Sequence, residues 1–270
     1  MVGEFDASNR TISWSDLTLL FDTTQSFNIY GKPIIDGDNI YATVYTRNTT
    51  DSPPDFLTKG YVVGTTVSNP LNWQVMGSEF YTIQPFQYSE PIIRKRPNGG
   101  YFIQVRYEGA GSDYQIHRFD SDNITGPWSG PVVIYEGSSH AKGLEFFDDG
   151  SYFTGIRLRT KRPGIAILTS EGNAQEPTQL KLSGVVSTSQ TDSAEGGYME
   201  FLKINDEEYL GTFHTEAGRT IQATRFTVAM IKNKTVKEND SAYPMPSILW
   251  AETIDPFIHI KDNVSISRNT

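Results

Sequence analysis

Apolar residues along the chain fall into short runs broken at regular intervals by clusters of Asp, Asn and Gly, and four stretches repeat one order. Each has an apolar segment, a turn, a strand opening on Tyr, another strand and a polar loop. The turn-and-strand cores are Asp36-Gly-Asp-Asn-Ile-Tyr41, Pro97-Asn-Gly-Gly-Tyr101, Asp148-Asp-Gly-Ser-Tyr152 and Asn205-Asp-Glu-Glu-Tyr209, whose tyrosines lie 60, 51 and 57 residues apart. Gly and Asx residues supply the positive φ of tight turns, while β-branched and aromatic residues suit flanking strands, so each core predicts a hairpin. Third strands are predicted at about 61–68, 114–121, 165–170 and 220–227, followed by polar loops and short outer strands. Convincing amphipathic helix is absent. A four-stranded unit recurring at this period reads as a propeller blade.

Four blades leave both ends of the chain unassigned, and the ends are complementary. The tail, Asp255-Pro-Phe-Ile-His-Ile-Lys-Asp-Asn-Val-Ser-Ile-Ser267, has the strand, turn, strand shape of an inner half-blade. The head, 2–5 and 11–14 around Asp6-Ala-Ser-Asn9, supplies an outer half. The expected fold is therefore all-β: a five-bladed β-propeller whose fifth blade is closed by N- and C-terminal strands, with residues 1–270 forming a single domain. Sharing a blade removes exposed strand edges. A four-bladed ring with a loose tail is the alternative.

Charge and composition narrow the partners. Among 270 residues, 23 Lys+Arg stand against 32 Asp+Glu, or 23 − 32 = −9. That excess argues against nucleic acid or an anionic membrane as the main partner, because both reward a cationic face. At 37% hydrophobic and 20% charged the composition is globular. No run approaches the roughly 20 apolar residues that span a bilayer, so no membrane insertion is expected. The start, Met1-Val2-Gly3-Glu4-Phe5-Asp6, lacks the features of a secretory signal, and six N-x-S/T sequons (Asn9, Asn48, Asn123, Asn233, Asn239, Asn263) suggest a chain that never meets glycosylation machinery. The expected setting is cytoplasmic or a phage particle. Zero cysteines exclude disulfides and thiol chemistry. The four histidines, His117, His140, His214 and His259, show no paired spacing, so no zinc site is expected. No cofactor is implied, although axial carbonyls and carboxylates could hold a structural calcium. Neither a phosphate-binding glycine loop nor a nucleophile elbow occurs.

The openings of the blades carry a family likeness. Asp255-Pro256-Phe257-Ile258, Ser89-Glu90-Pro91-Ile92-Ile93 and, more loosely, Gly31-Lys32-Pro33-Ile34-Ile35 each place a polar or charged residue and a proline before an apolar strand. Ser121-Asp-Asn-Ile-Thr-Gly-Pro-Trp128, with a looser copy at Thr66-Val-Ser-Asn-Pro-Leu-Asn-Trp73, precedes an outer strand. Over nearly the whole chain this pattern resembles the five-bladed propellers of glycoside hydrolase family 43 and its relatives that act on furanosides. The resemblance implies a carbohydrate partner and, if enzymatic, inverting hydrolysis by two carboxylates about 6.5–9.5 Å apart.

First strands of a propeller run along the central channel, so residues at their starts should share one pocket: Asp255, Lys32, Glu90, Lys142 (in His140-Ala-Lys-Gly143) and Glu195. In the family, base, modulating Asp and acid Glu follow on successive blades. Counted from the first blade, those places hold Lys32, Glu90 and Lys142, and two carboxylates are gone. Counted from the split blade they hold Asp255, Lys32 and Glu90, which keeps a base (Asp255) and an acid (Glu90). The alternative is that lysines and glutamates simply form a neutralising ion-pair ring. Five residues past each aligned Tyr stand Thr46, Arg106, Arg157 and His214, in one strand phase and at the pocket end. With Lys32 or Lys142 they would form a cationic mouth, and His140 belongs nearby. Arginine suits bidentate capture of carboxylate or phosphate, so the expected ligand is an anionic sugar. The competing reading pairs Arg106 and Arg157 with acids such as Glu90 or Glu145. Tyr30 and Tyr88, just before two blade starts, are expected at the rim, stacking on a sugar ring. The leading reading is a glycan-recognising propeller, enzymatic or not. Its rivals are a non-catalytic receptor-binding module resembling those of bacteriophage tails, and a protein-interaction platform plugged by its own ion pairs.

Overall fold

Period-two alternation of large apolar side chains on both faces of each strand shapes the whole molecule. The computed structural model describes residues 3–6, 8–9, 11–14, 25–48, 58–83, 88–109, 114–136, 138–158, 164–170, 180–188, 197–215, 220–232 and 250–254. At the start, β1 (Gly3–Asp6) and β2 (Thr11–Trp14) pair antiparallel. The Asp6 carboxylate closes their turn by accepting from the Ser8 amide at 2.8 Å and the Asn9 side-chain amide at 2.8 Å. Such an Asx turn explains why this hairpin was legible.

Four four-stranded antiparallel meanders follow. The first is β3 (Gln25–Asp36), β4 (Asn39–Asn48), β5 (Thr58–Thr66) and β6 (Asn69–Ile83). The second is β7 (Tyr88–Lys95), β8 (Tyr101–Glu108), β9 (Tyr114–Ser121) and β10 (Ser129–Glu136). The third is β11 (Ser138–Phe146), β12 (Tyr152–Leu158), β13 (Gly164–Ser170) and β14 (Leu180–Thr188). The fourth is β15 (Gly197–Asn205), β16 (Glu208–Thr215), β17 (Thr220–Thr227) and β18 (Trp250–Ile254), with the one-turn helix α1 (Val228–Lys232) after β17. Every sheet keeps its strands in chain order. The four hairpins and third strands expected from the sequence are all present. The tail expected to close a fifth blade, 255–267, lies outside the described residues.

Successive side chains on a strand point to opposite faces, and in the second and third sheets each face meets a different neighbouring sheet. Tyr41, Val62, Phe80 and Tyr81 pack against Tyr88, Ile93, Ile103, Val105 and Phe119, joining the first sheet to the second. The alternate residues of the second sheet, Ile92, Phe102, Ile116 and Ile134, pack on Leu144, Tyr152, Ile156, Ala166 and Leu168 of the third. Phe153 and Ile167, next in sequence to Tyr152 and Ala166, turn instead to Met199, Phe201, Tyr209, Phe213 and Phe226 of the fourth. The sheets thus stack in chain order, and strands buried on both faces explain why so few helical patterns compete.

The first strands gather at the centre: β3 packs on β7, β7 on β11, β11 on β15, and β11 also reaches β3. All four carry a register shift, between Tyr30 and Ile34, Ser89 and Ile92, Lys142 and Leu144, and Gly197 and Glu200. At three of them the backbone turns left-handed, at Gly31 (φ 75°), Glu90 (φ 59°) and Gly143 (φ 76°). Bulges of this kind re-aim side chains. Gly143 is required for a second reason, since a Cβ there would stand 2.3 Å from the Met199 carbonyl oxygen of β15.

Candidate functional site

The bulge of β7 positions the most distinctive side chain. Among the described residues Glu90 is the one non-glycine with positive φ, a conformation costing an L-residue roughly 1–2 kcal/mol. Such strain persists only where surrounding structure holds it, and it concentrates at functional sites. Here the clamp is Arg106. Residue Ser89 pairs with Arg106 in the β7–β8 ladder, and the Arg106 Nη1 donates to Glu90 Oε1 at 3.0 Å while Nη2 donates to Glu108 Oε1. Glu90 is buried. The pairing of Arg106 with neighbouring acids, weighed from the sequence against ligand capture, is therefore what the structure holds.

The ladders fix what stands opposite each of the second-strand residues counted from the tyrosines. Ser89 opposes Arg106 and Gly197 opposes His214, each just before the bulge of its inner strand, while His140 opposes Arg157 two residues before the bulge after Lys142. In the first sheet the longer β3 brings Phe27 opposite Thr46, which is buried. For His140, Lys142, Arg157 and His214 the backbone position is described and the side chain is not. Glu195 and Asp255 lie outside the described residues.

Nearer the centre, Lys32 projects from the β3 bulge to Glu145 on β11, Nζ to Oε1 3.4 Å, with about half of the lysine side chain exposed. Arg94 is enclosed between them. Its Nε donates to the Leu144 carbonyl at 2.6 Å, and Nη1 donates to the carbonyls of Lys32 at 2.9 Å and Ile93 at 2.8 Å. Burial pushes the Arg94 pKa down, and the charges of Glu145 and Glu200 act against that. Opposite charges thus meet at the centre, with Lys32 paired to Glu145 rather than to a blade-opening glutamate, and Glu90 paired to Arg106. Sequence reasoning missed Arg94, Glu108 and Glu200. The available signal was that a run of cations, Arg94-Lys95-Arg96, begins directly after Pro91-Ile92-Ile93 in a strand buried on both faces, where an ion needs partners.

Tyr88 corrects an expectation. It is 4% exposed and belongs to the core between the first two sheets, ringed by Tyr81, Tyr107 and Phe119. Its hydroxyl hydrogen-bonds His117 Nδ1 at 2.6 Å. Strand phase is the cause, since the bulge follows Tyr88 and leaves it pointing at the first sheet rather than at a rim. Tyr30 is half-buried and packs against the core between the second and third sheets. His117 is an ordinary strand residue, as expected. Burial pushes its pKa down to about 4, and its ring lies flat on Tyr107 at 4.5 Å. Among the described residues no group of three or more acidic or histidine side chains could hold a metal, and no helix is long and apolar enough to cross a membrane.

No family model and no curated protein sequence matches the chain. Solved structures do. A protein of unknown function from Dyadobacter fermentans matches with TM-score 0.54 at 12% identity, over 77% of this chain and 66% of that one. A mutant of a GH43 protein from Bacillus licheniformis matches with TM-score 0.50 at 16% identity, over 80% of this chain and 44% of that one. A GH43 β-xylosidase/α-arabinofuranosidase from a compost microbial metagenome, solved with xylotriose in a calcium-free form, matches with TM-score 0.52 at 14% identity, over 78% of this chain and 77% of that one. The chain spans less than two thirds of the first two. At these identities the likeness is one of architecture: the chain has the all-β fold of the GH43 glycoside hydrolases.

Proposed function

We propose that the chain is a carbohydrate-binding β-propeller whose ligand sits at the channel end where β7 begins, beside Glu90 and Arg106. The observation that carries this reading is the strained, buried Glu90, held by Arg106 at an inner-strand bulge, in a fold shared with enzymes one of which was solved with xylotriose. The finer form of the proposal is inverting hydrolysis, with Asp255 as base and Glu90 as acid. A preference for an anionic sugar would then rest on Lys32, Lys142, Arg157 and His214, because the Arg106 charge is already shared by two carboxylates.

Binding without catalysis is favoured by the central pairs Lys32–Glu145 and Arg94–Glu145, which set cations where a family 43 hydrolase would bring carboxylates together. One experiment separates the readings. The full chain is screened on a glycan array at low and high salt, and every glycan retained is tested for turnover by the wild type and by Glu90→Gln. Saturable binding supports the carbohydrate proposal, and its absence across neutral and anionic glycans refutes it. Turnover that Glu90→Gln abolishes supports hydrolysis, whereas unchanged turnover removes Glu90 from the mechanism.

A further inference from the structure

Arg94 gathers oxygen from three inner strands. Carbonyls of Lys32 on β3, Ile93 on β7 and Leu144 on β11 all accept from its guanidinium within 2.9 Å. The remaining nitrogen, Nη2, makes no hydrogen bond and lies 3.7 Å from Glu145 Oε1. The residue is 6% exposed. Glu200, on the inner strand of the fourth sheet, adds a further attraction. One buried cation therefore ties three first strands together. A shell built of backbone carbonyls and carboxylates is also what a hard divalent cation recruits. A bound calcium on the axis, raised by the sequence as an option, does not fit beside this guanidinium, whose charge and donors already occupy those oxygens.

We propose that Arg94 is the resident cation of the centre, so that the wild-type chain takes no metal there and removing the side chain opens an oxygen-lined site for a divalent ion such as Ca²⁺. The site would comprise the carbonyls of Lys32, Ile93 and Leu144 with the Glu145 carboxylate. This inference stands on the geometry of the centre and does not depend on the glycan reading.

The test uses the full chain as wild type, Arg94→Ala, Arg94→Lys and the double variant Arg94→Ala/Glu145→Gln. Each is melted in EDTA and in CaCl₂ and titrated with CaCl₂ by calorimetry. The wild type should melt at the same temperature in both buffers. Arg94→Ala should melt lower in EDTA, bind one Ca²⁺ saturably, and regain roughly 5 °C at a calcium concentration about a hundred times its Kd. The double variant should lose that response, and Arg94→Lys, which keeps a cation, should not bind. EDTA lowering the wild-type melting temperature would overturn the proposal, as would a folded Arg94→Ala without saturable binding. Should Arg94→Ala fail to fold in EDTA, refolding it in CaCl₂ decides: recovery of the β-sheet dichroism supports the inference and continued failure refutes it.

Discussion

Replacing Gly143 by alanine should destabilise the protein far more than the same change at Gly37, although both backbones are left-handed, at φ 76° and 62°. The shared conformational cost for an L-residue is roughly 1–2 kcal/mol. Surroundings make the difference. A Cβ on Gly37 meets nothing within 4 Å, whereas on Gly143 it would lie 2.3 Å from the Met199 carbonyl oxygen and 3.0 Å from ring carbons of Phe201. Met199 and Phe201 are 1% and 3% exposed, so neither has room to retreat. Forcing atoms into such a packed site adds about 1–3 kcal/mol. The expected gap between the two variants is therefore about 2 kcal/mol, or roughly 4–8 °C in melting temperature for a chain of this size. Urea denaturation measures it as a shift in midpoint at constant slope. Equal losses for Gly143→Ala and Gly37→Ala would refute the close approach of β11 to β15 on which the central geometry depends.

Thr154→Val should cost about 2 kcal/mol in the same assay, because the buried Thr154 hydroxyl accepts from Gln104 Nε2 and donates to the Gly143 carbonyl, each at 2.8 Å. Thr154→Ser should recover most of that loss, and a loss as large in the serine variant would place the effect in packing. Acidification should weaken the fold through His117: its folded pKa is near 4 and its ordinary value 6.5, so below pH 6.5 the unfolded chain binds the proton and the folded one does not. Stability falls from about pH 6.5 to pH 4 and levels off beneath, by at most about 3 kcal/mol from this group. Denaturation of wild type and His117→Gln at pH 7.5 and 4.5 checks this, the variant being expected to lose less. Lys95→Met should cost under about 1 kcal/mol, since the Lys95–Asp36 pair, 2.6 Å apart, is half-exposed on the lysine side. A loss that persists undiminished in 1 M NaCl would contradict its electrostatic origin.

The repeating Tyr and the Asx-Gly turns made the hairpins readable, because local turn chemistry and two-sided apolar strands act within a few residues. Strand pairing was readable for the same reason, since the tyrosine count put Arg106, Arg157 and His214 on second strands that pair with the first strands of their sheets. Counting failed at Tyr88. A bulge changes strand phase, and nothing in Tyr-Ser-Glu-Pro distinguishes the residue that faces the first sheet from one that faces the channel. Arg94 escaped notice, and Glu145 was weighed only as a partner for Arg106 or Arg157, because the oxygens and the lysine that meet them come from strands 50 or more residues away, which only the folded centre brings together. The Glu90–Arg106 pair was foreseeable in kind, since both ends lie in one hairpin.

Because Tyr152 and Phe153, or Phe102 and Ile103, send adjacent side chains into different cores, the second and third sheets have no hydrophobic interior of their own. Their interiors exist only at the seams. A single sheet excised as a peptide would expose both apolar faces and has no reason to stay folded. Excising the second sheet destroys two seams, whereas nicking the chain in a connection between sheets leaves each of them in place. Chains nicked in those connections should consequently stay folded, and their relative melting temperatures would rank the seams by strength, much as neighbour couplings are ranked in linear repeat proteins.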